Sequence, residues 1–166
     1  GKESRGCAAA DADLFRGRRW VLTPACPEQM ETPAVMELCR WLEAIGALPL
    51  VMAPAEHDAI VAFTSHLPQL VSTALAAALA REVDPDRAAR VSGPGLLDTT
   101  RLALSPYDVW ADILATNQAP VERALDALLD VLGALRAGLT AESTGELFSR
   151  AAAFASAIRA ERTASR

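Results

Sequence analysis

Ala47-Leu48-Pro49-Leu50-Val51-Met52-Ala53-Pro54-Ala55-Glu56-His57-Asp58 is the stretch at which the chain changes character. Upstream of it, apolar residues come in short runs closed by prolines. Downstream, strand signals disappear and Ala and Leu recur at helical spacing. The run Ala47 to Met52, stopped by Pro54, reads as a buried strand, and Arg19-Trp20-Val21-Leu22-Thr23, stopped by Pro24, reads as another. Between them Thr32 is placed as an N-cap and Pro33 at the first helical position. The apolar set Val35, Leu38, Leu42 and Ile45 follows at steps of three and four, and Gly46 supplies the stop. Strand, helix, strand is the grammar of one α/β crossover. Two strands and one helix do not make a stable sheet alone.

From Ala55 to about Glu82 the chain is rich in Ala and Leu, with Pro68 in the middle, which predicts one helix kinked there or two helices meeting there. Asp84-Pro85 opens a short helix, Ser92-Gly93-Pro94-Gly95 is a turn, and a second short helix is expected from Leu97 to Ala103. Ser105-Pro106 starts the next, running to about Asn117. Val121, Leu125, Leu128, Leu129, Leu132, Leu135 and Leu139 then form a stripe at alternating three and four. A last helix, about Ser143 to Ala160, carries Leu147, Ala151, Phe154 and Ile158 on one face, and the basic end from Arg159 to Arg166 is expected to fray. The expected fold is therefore mainly α, with a helical domain over residues 55–166 preceded by an α/β unit over residues 1–54. An apolar stripe left over from such packing is buried by dimerising.

Composition narrows the function classes. The 166 residues are 51% hydrophobic and 22% charged, the opposite of a disordered chain. Sixteen basic against twenty-one acidic residues leave no global field for phosphate, so no nucleic-acid partner is expected, and Arg16-Gly17-Arg18-Arg19 reads as solvated surface. Leu67 to Ala80, the longest nearly uncharged stretch, falls short of the roughly 20 apolar residues that cross a bilayer, so no membrane span is expected. Cys7, Cys26 and Cys39 form no C-x-x-C pair, which points to free thiols in a reducing cytoplasm rather than to structural zinc.

The candidate chemistry lies in two polar knots. Gly93-Pro94-Gly95 has Asp98 where a third glycine would be needed and follows a helix, so it is no dinucleotide fingerprint. His57 and His66 are the only histidines. Nine residues apart on a regular helix, at about 100° per residue, they fall on opposite faces, which argues against a shared metal. Ser65-His66-Leu67-Pro68 places a polar pair inside an apolar helix just before a proline, a local conflict of the kind that marks sites. It is not a hydrolase signature, because neighbours on a helix point apart. In Asp98-Thr99-Thr100-Arg101-Leu102-Ala103 a guanidinium stands among apolar neighbours and needs a carboxylate, from the protein or from a ligand. Trp110 and Asn117 are candidates for the same cleft, although an aromatic at helical spacing is more often core.

Taken in order, these segments resemble the prephenate dehydrogenase family, which includes arogenate dehydrogenases. The resemblance covers nearly the whole chain. It runs through Gly1-Lys2-Glu3-Ser4-Arg5-Gly6, Asp13-Leu14-Phe15-Arg16-Gly17, Leu22-Thr23-Pro24, Leu42-Glu43-Ala44-Ile45-Gly46-Ala47 and Glu56-His57-Asp58. It continues through Ser65-His66-Leu67-Pro68, the strongest match, then Asp98 to Ala103, and Ser105 through Trp110 to Asn117. It implies an enzyme that oxidatively decarboxylates prephenate to 4-hydroxyphenylpyruvate, or acts on arogenate, with NAD or NADP in tyrosine biosynthesis. It also implies an N-terminal Rossmann-type nucleotide-binding domain, of which residues 1–54 are the last α/β unit. The helical remainder is then a substrate-binding domain that forms the homodimer. The chain would start just after the family's His-Pro-x-Ala segment, whose histidine is catalytic, so the isolated chain is expected to be inactive.

By the same resemblance Arg101 matches the arginine that holds the substrate's ring carboxylate, and Glu3 a glutamate that gates the site through it. Ser65 and His66 match a pair facing the nicotinamide side, giving Ser65 a cofactor contact, and His57 matches a further active-site histidine. Asp98, Ser105 and Trp110 fall near the site or the dimer contact. Gln69 stands where many members repeat histidine, and Leu97 where some carry lysine. Gln69 and Trp110 complete the set of candidate substrate contacts. Two other readings compete: a non-enzymatic helical dimerisation module, and the helical domain of another hydroxyacid dehydrogenase.

Overall fold

The computed structural model describes residues 6–164; Glu3 lies outside them. In chain order the elements are β1 (Arg19–Leu22), α1 (Pro33–Ala44), β2 (Leu48–Val51), α2 (Pro54–Val61), α3 (Leu67–Glu82), α4 (Pro85–Val91), α5 (Pro94–Thr100), α6 (Tyr107–Thr116), α7 (Gln118–Ala137) and α8 (Glu142–Ala164). The protein is mainly α with one small sheet. It divides into two compact units: the chain up to Pro54 together with the chain from Leu128 onward, and Ala55–Ala127.

In the first unit β1 and β2 pair in parallel, Arg19 opposite Leu48 and Leu22 opposite Val51. Helix α1 makes the crossover. It ends as its glycine demands: Ala47 N donates to Leu42 O at 2.9 Å, Gly46 N donates to Glu43 O at 2.9 Å, and Gly46 takes φ +76°. This is the paired 6→1 and 5→2 closure that a left-handed residue after a helix allows. A side chain at 46 would also run into Arg16, whose Cγ stands 3.2 Å from the position of an added Cβ. Thr32 does occupy the N-cap, but its hydroxyl donates back to Gln29 O at 2.7 Å instead of accepting a helix N–H. Of the expected buried set on α1 only Leu42 is buried; Val35 is half-buried, and Leu38 and Ile45 are exposed. Both strands are likewise only partly covered, because a two-stranded sheet has no second layer to bury its faces.

Helix α8 continues to Ala164, so the expected fraying from Arg159 does not hold over its described part, where Arg159 Nη1 donates to Ala155 O at 2.8 Å. Its apolar residues Phe148, Phe154 and Ile158 are exposed, as are Leu129, Leu132 and Leu139 around the end of α7.

In the second unit the chain from Pro54 to Glu82 is one unbroken 29-residue helix. Pro68 neither breaks it nor splits it. Instead Ala62–His66 widens into a π turn, and Leu67 N donates to Ala62 O. The wider turn accommodates a proline that has no N–H to give and whose ring clashes with the preceding turn. Because the helix is continuous, it passes the length and composition test for crossing a bilayer, which the reading of Leu67–Ala80 alone did not anticipate. Its inward polar residues bond to other parts of the same unit, the arrangement of a packed core helix. Around it stand α4, capped by Asp84 Oδ1 accepting from Arg87 N at 3.0 Å, then α5, α6 and the first half of α7. Helix α5 starts at Pro94, earlier than expected, and Arg101 begins a 3₁₀ turn (Arg101–Leu104) rather than sitting mid-helix. The apolar core is small: Ala62, Val121 and Ala124, with Leu67, Leu70, Leu114 and Leu125 packed against them.

Candidate functional site

The long helix of the second unit is turned inside out. Its buried face, read at steps of four, three and three, is Ala62, His66, Gln69 and Ser72, while Ile60, Phe63, Val71 and Leu75 are exposed. Burying polar side chains costs free energy unless each finds a partner. Each does here, and the partners assemble two adjoining features.

The first is centred on His66, which is 8% exposed. Asn117, at the C-terminal end of α6 and itself buried, donates from Nδ2 to the backbone oxygen of Asp58 at 2.9 Å, and the same nitrogen lies 3.2 Å from His66 Nδ1. The indole of Trp110 meets the imidazole edge to face, ring centres 6.0 Å apart at 83°. That indole is itself held, Nε1 donating to Ser105 Oγ at 3.0 Å. Burial lowers the pKa of His66 below the ordinary histidine value; the nearby Asp58 charge works against this and that of His57 with it. His57 contacts Asp58, Nδ1 to Oδ1 at 3.1 Å. Counting about 100° per residue puts the two histidines on opposite faces, but the π turn advances each residue by less, and His57 acts electrostatically on His66.

The second feature pins the turn that carries Arg101. Gln69 Nε2 donates to Leu102 O at 2.9 Å and to Thr73 Oγ1 at 3.3 Å, and Ala103 N donates to Ser72 Oγ at 3.0 Å. One peptide group of the turn, that between Leu102 and Ala103, is thereby held at both its C=O and its N–H by side chains of α3 that are themselves buried. Arg101 is exposed at the start of this turn, and Ser65 is exposed on the π turn.

The structure thus joins His66 and Trp110, and gives Gln69 a backbone partner. It places His57 beside Asp58. Asn117, noticed in the sequence only as a cleft candidate, is the hub of the His66 cluster. Ser72 was missed; extending the stripe from His66 by steps of three would have found it. Among the described residues no three His, Cys, Asp or Glu side chains gather to hold a metal ion, and the three cysteines are unpaired.

The first unit holds two apolar hollows at the carboxyl ends of its parallel strands, the edge at which open α/β sheets place ligands. One, of about 450 Å³, is lined by residues including Leu22, Thr23, Pro24 and Leu38; the other, of about 360 Å³, by residues including Cys26, Met30, Val51 and Met52. Neither is lined by a glycine-rich phosphate cradle, and prolines follow both strands.

The chain is similar to known proteins. The chain is 32% identical over 147 residues to a probable prephenate dehydrogenase of Streptomyces niveus, 29% identical over 153 residues to the prephenate dehydrogenase of Bacillus subtilis, and 30% identical over 146 residues to the cyclohexadienyl dehydrogenase of Zymomonas mobilis. These alignments cover 86–89% of the chain but only 40–48% of the relatives, so the chain spans less than half their length. Among solved structures, the prephenate dehydrogenase of Aquifex aeolicus in complex with hydroxyphenyl propionate and NAD+ superposes with a TM-score of 0.75 at 26% identity, over 98% of this chain and 55% of that one. The arogenate dehydrogenase of Synechocystis gives 0.69 at 26% identity, over 98% and 58%. Residues 53–152, more than half of the chain, match the family described as prephenate dehydrogenase, dimerization domain. The chain belongs to the prephenate dehydrogenase family and carries its dimerization domain.

Proposed function

We propose that this chain works as the C-terminal part of an NAD(P)-dependent dehydrogenase that oxidatively decarboxylates prephenate or arogenate in tyrosine biosynthesis, in the cytoplasm. Residues 1–54 would close a Rossmann-type nucleotide-binding domain, and residues 55–166 would bind substrate and form the homodimer. The observation that carries this reading is the inside-out helix: its buried Gln69 and Ser72 hold an arginine-bearing turn, and its buried His66 is held by Asn117 from the end of α6, in place of core packing. Arg101 offers a planar fork for a carboxylate, and His66 a neutral imidazole. Ser65 and His57, which lie on the same continuous helix, would contact cofactor or substrate.

The residues present do not fit a dinucleotide by themselves, since prolines rather than glycines follow β1 and β2 and no phosphate loop is present. Holding NAD or NADP, and the catalytic histidine, would fall to residues outside this sequence. For the dimer, the exposed apolar side chains of Leu129, Leu132, Phe148, Phe154 and Ile158 supply a face of the kind that a second copy covers.

Steady-state kinetics of the full-length polypeptide tests the reading. It should form NAD(P)H from prephenate or arogenate, and the 166-residue chain alone should form none. Arg101→Ala should raise KM by about 10- to 100-fold, the worth of a charge-assisted hydrogen-bonded pair. Unchanged kinetics in that variant, or turnover by the isolated chain, would overturn it.

A further inference from the structure

We infer that Asn117 is a positioning residue that holds His66 in a single tautomer, with the proton on Nε2, so that the site presents an N–H donor to an acceptor oxygen of its ligand. The inference deepens the proposed dehydrogenase reading and rests on it only for the identity of that ligand.

The argument begins with the orientation of the Asn117 amide. One end of it lies 2.9 Å from the backbone oxygen of Asp58, which only accepts. That end must therefore be the NH2; an amide oxygen there would face another oxygen at contact distance. The amide nitrogen carries two hydrogens. One goes to Asp58, and the other points to His66 Nδ1 at 3.2 Å. A nitrogen that receives a hydrogen bond presents its lone pair, so Nδ1 is the unprotonated nitrogen and the neutral ring carries its proton on Nε2. The ring is neutral because burial disfavours its charge.

The arrangement is rigid. Asn117 is 6% exposed, His66 is 8% exposed, and Trp110 packs edge to face against the imidazole. Among the described residues no protein group bonds Nε2, and no fully enclosed side-chain nitrogen or oxygen is left without a partner, so Nε2 keeps some access to the outside. A fixed N–H donor with no internal acceptor selects a carboxylate, carbonyl or hydroxyl oxygen and rejects a ligand donor. That preference follows from Asn117, since an imidazole with no partner at Nδ1 exchanges its proton between the two nitrogens.

Nitrogen-15 NMR of the histidine rings in the full 166-residue chain at pH 8 tests this directly. In the unaltered chain His66 should show an unprotonated Nδ1 and a protonated Nε2. Asn117→Ala should give a mixture of tautomers, and Asn117→Asp, whose carboxylate can only accept, should move the proton to Nδ1. A wild-type ring protonated at Nδ1 overturns the inference whether or not either variant folds, and so does an unchanged tautomer in a folded Asn117→Ala. In the full-length polypeptide Asn117→Ala should raise KM more than it lowers kcat. If no dehydrogenase activity is found while the Nε2–H tautomer is, the functional reading falls and the tautomer assignment stands. Activity together with the opposite tautomer overturns the assignment and leaves the functional reading in place.

Discussion

Helix α3 and helix α8 use opposite logic. Helix α3 turns His66 at its start, Gln69 and Ser72 inward and leaves Val71 and Leu75 outside, whereas α8 leaves Phe148, Phe154 and Ile158 uncovered and, among its described residues, buries none fully. A helix of the first kind sacrifices apolar burial for a fixed polar geometry. A helix of the second kind is unfinished and gains its stability when something covers it. The difference separates the part of the chain proposed to build a site from the part proposed to build an assembly.

The comparison breaks most easily on the uncovered side. Replacing Leu132 by Asp puts an unpaired charge on the face assigned to the second copy and should weaken the dimer by at least about 100-fold, near 2.7 kcal/mol. Sedimentation equilibrium reads this, and an unshifted dissociation constant would remove Leu132 from the interface. An intermediate effect belongs to the small core of the other unit. Ala62 is fully buried, so Ala62→Leu should cost about 1–3 kcal/mol in urea unfolding by overpacking, against less than about 0.5 kcal/mol for Ala152→Leu on exposed α8. Equal losses would mean that the two regions do not differ in packing.

The smallest effect is electrostatic. His66 has a folded pKa below its unfolded one, so between those two values the unfolded chain binds more protons. Its contribution to stability is thus constant above the ordinary histidine pKa and declines as pH falls below it, with a slope of at most about 1.4 kcal/mol per pH unit. Urea unfolding at pH 7.5 and 5.5 should show the decline, and His66→Gln should reduce it; an identical slope in the variant would assign the loss to other groups.

Much of the architecture was legible because prolines and glycines punctuate it. The crossover strands, α1 with its Gly46 stop, the helix opened by Asp84-Pro85 and the start of the long helix, expected at Ala55 and found at Pro54, all follow from residues whose backbone chemistry is restrictive. Where sequence and structure part, a competing preference won. Pro94 is a favoured first helical residue, yet the glycines flanking it suggested a turn. The alanines beyond Ser149 sustain α8 past the point where its basic end suggested fraying. The site was half legible. Ser65-His66-Leu67-Pro68 stood out as a polar interruption and Asn117 as a cleft candidate, but Ser72 did not, because small polar residues are ordinary on solvent faces and only tertiary packing shows that it points inward. Gln69 was read as a substrate contact; its amide nitrogen donates to Leu102 O and Thr73 Oγ1, bonds that the sequence did not disclose.

The π turn at Ala62–His66 gives the 29-residue helix two separately indexed halves. His57 and Asp58 lie before it, and Gln69 and Ser72, which grip the turn that Arg101 begins, lie after it. Deleting a single residue within it would return the helix to ordinary pitch and leave its two halves in nearly the same orientation, because the wide turn fits one more residue into the rotation of an ordinary one.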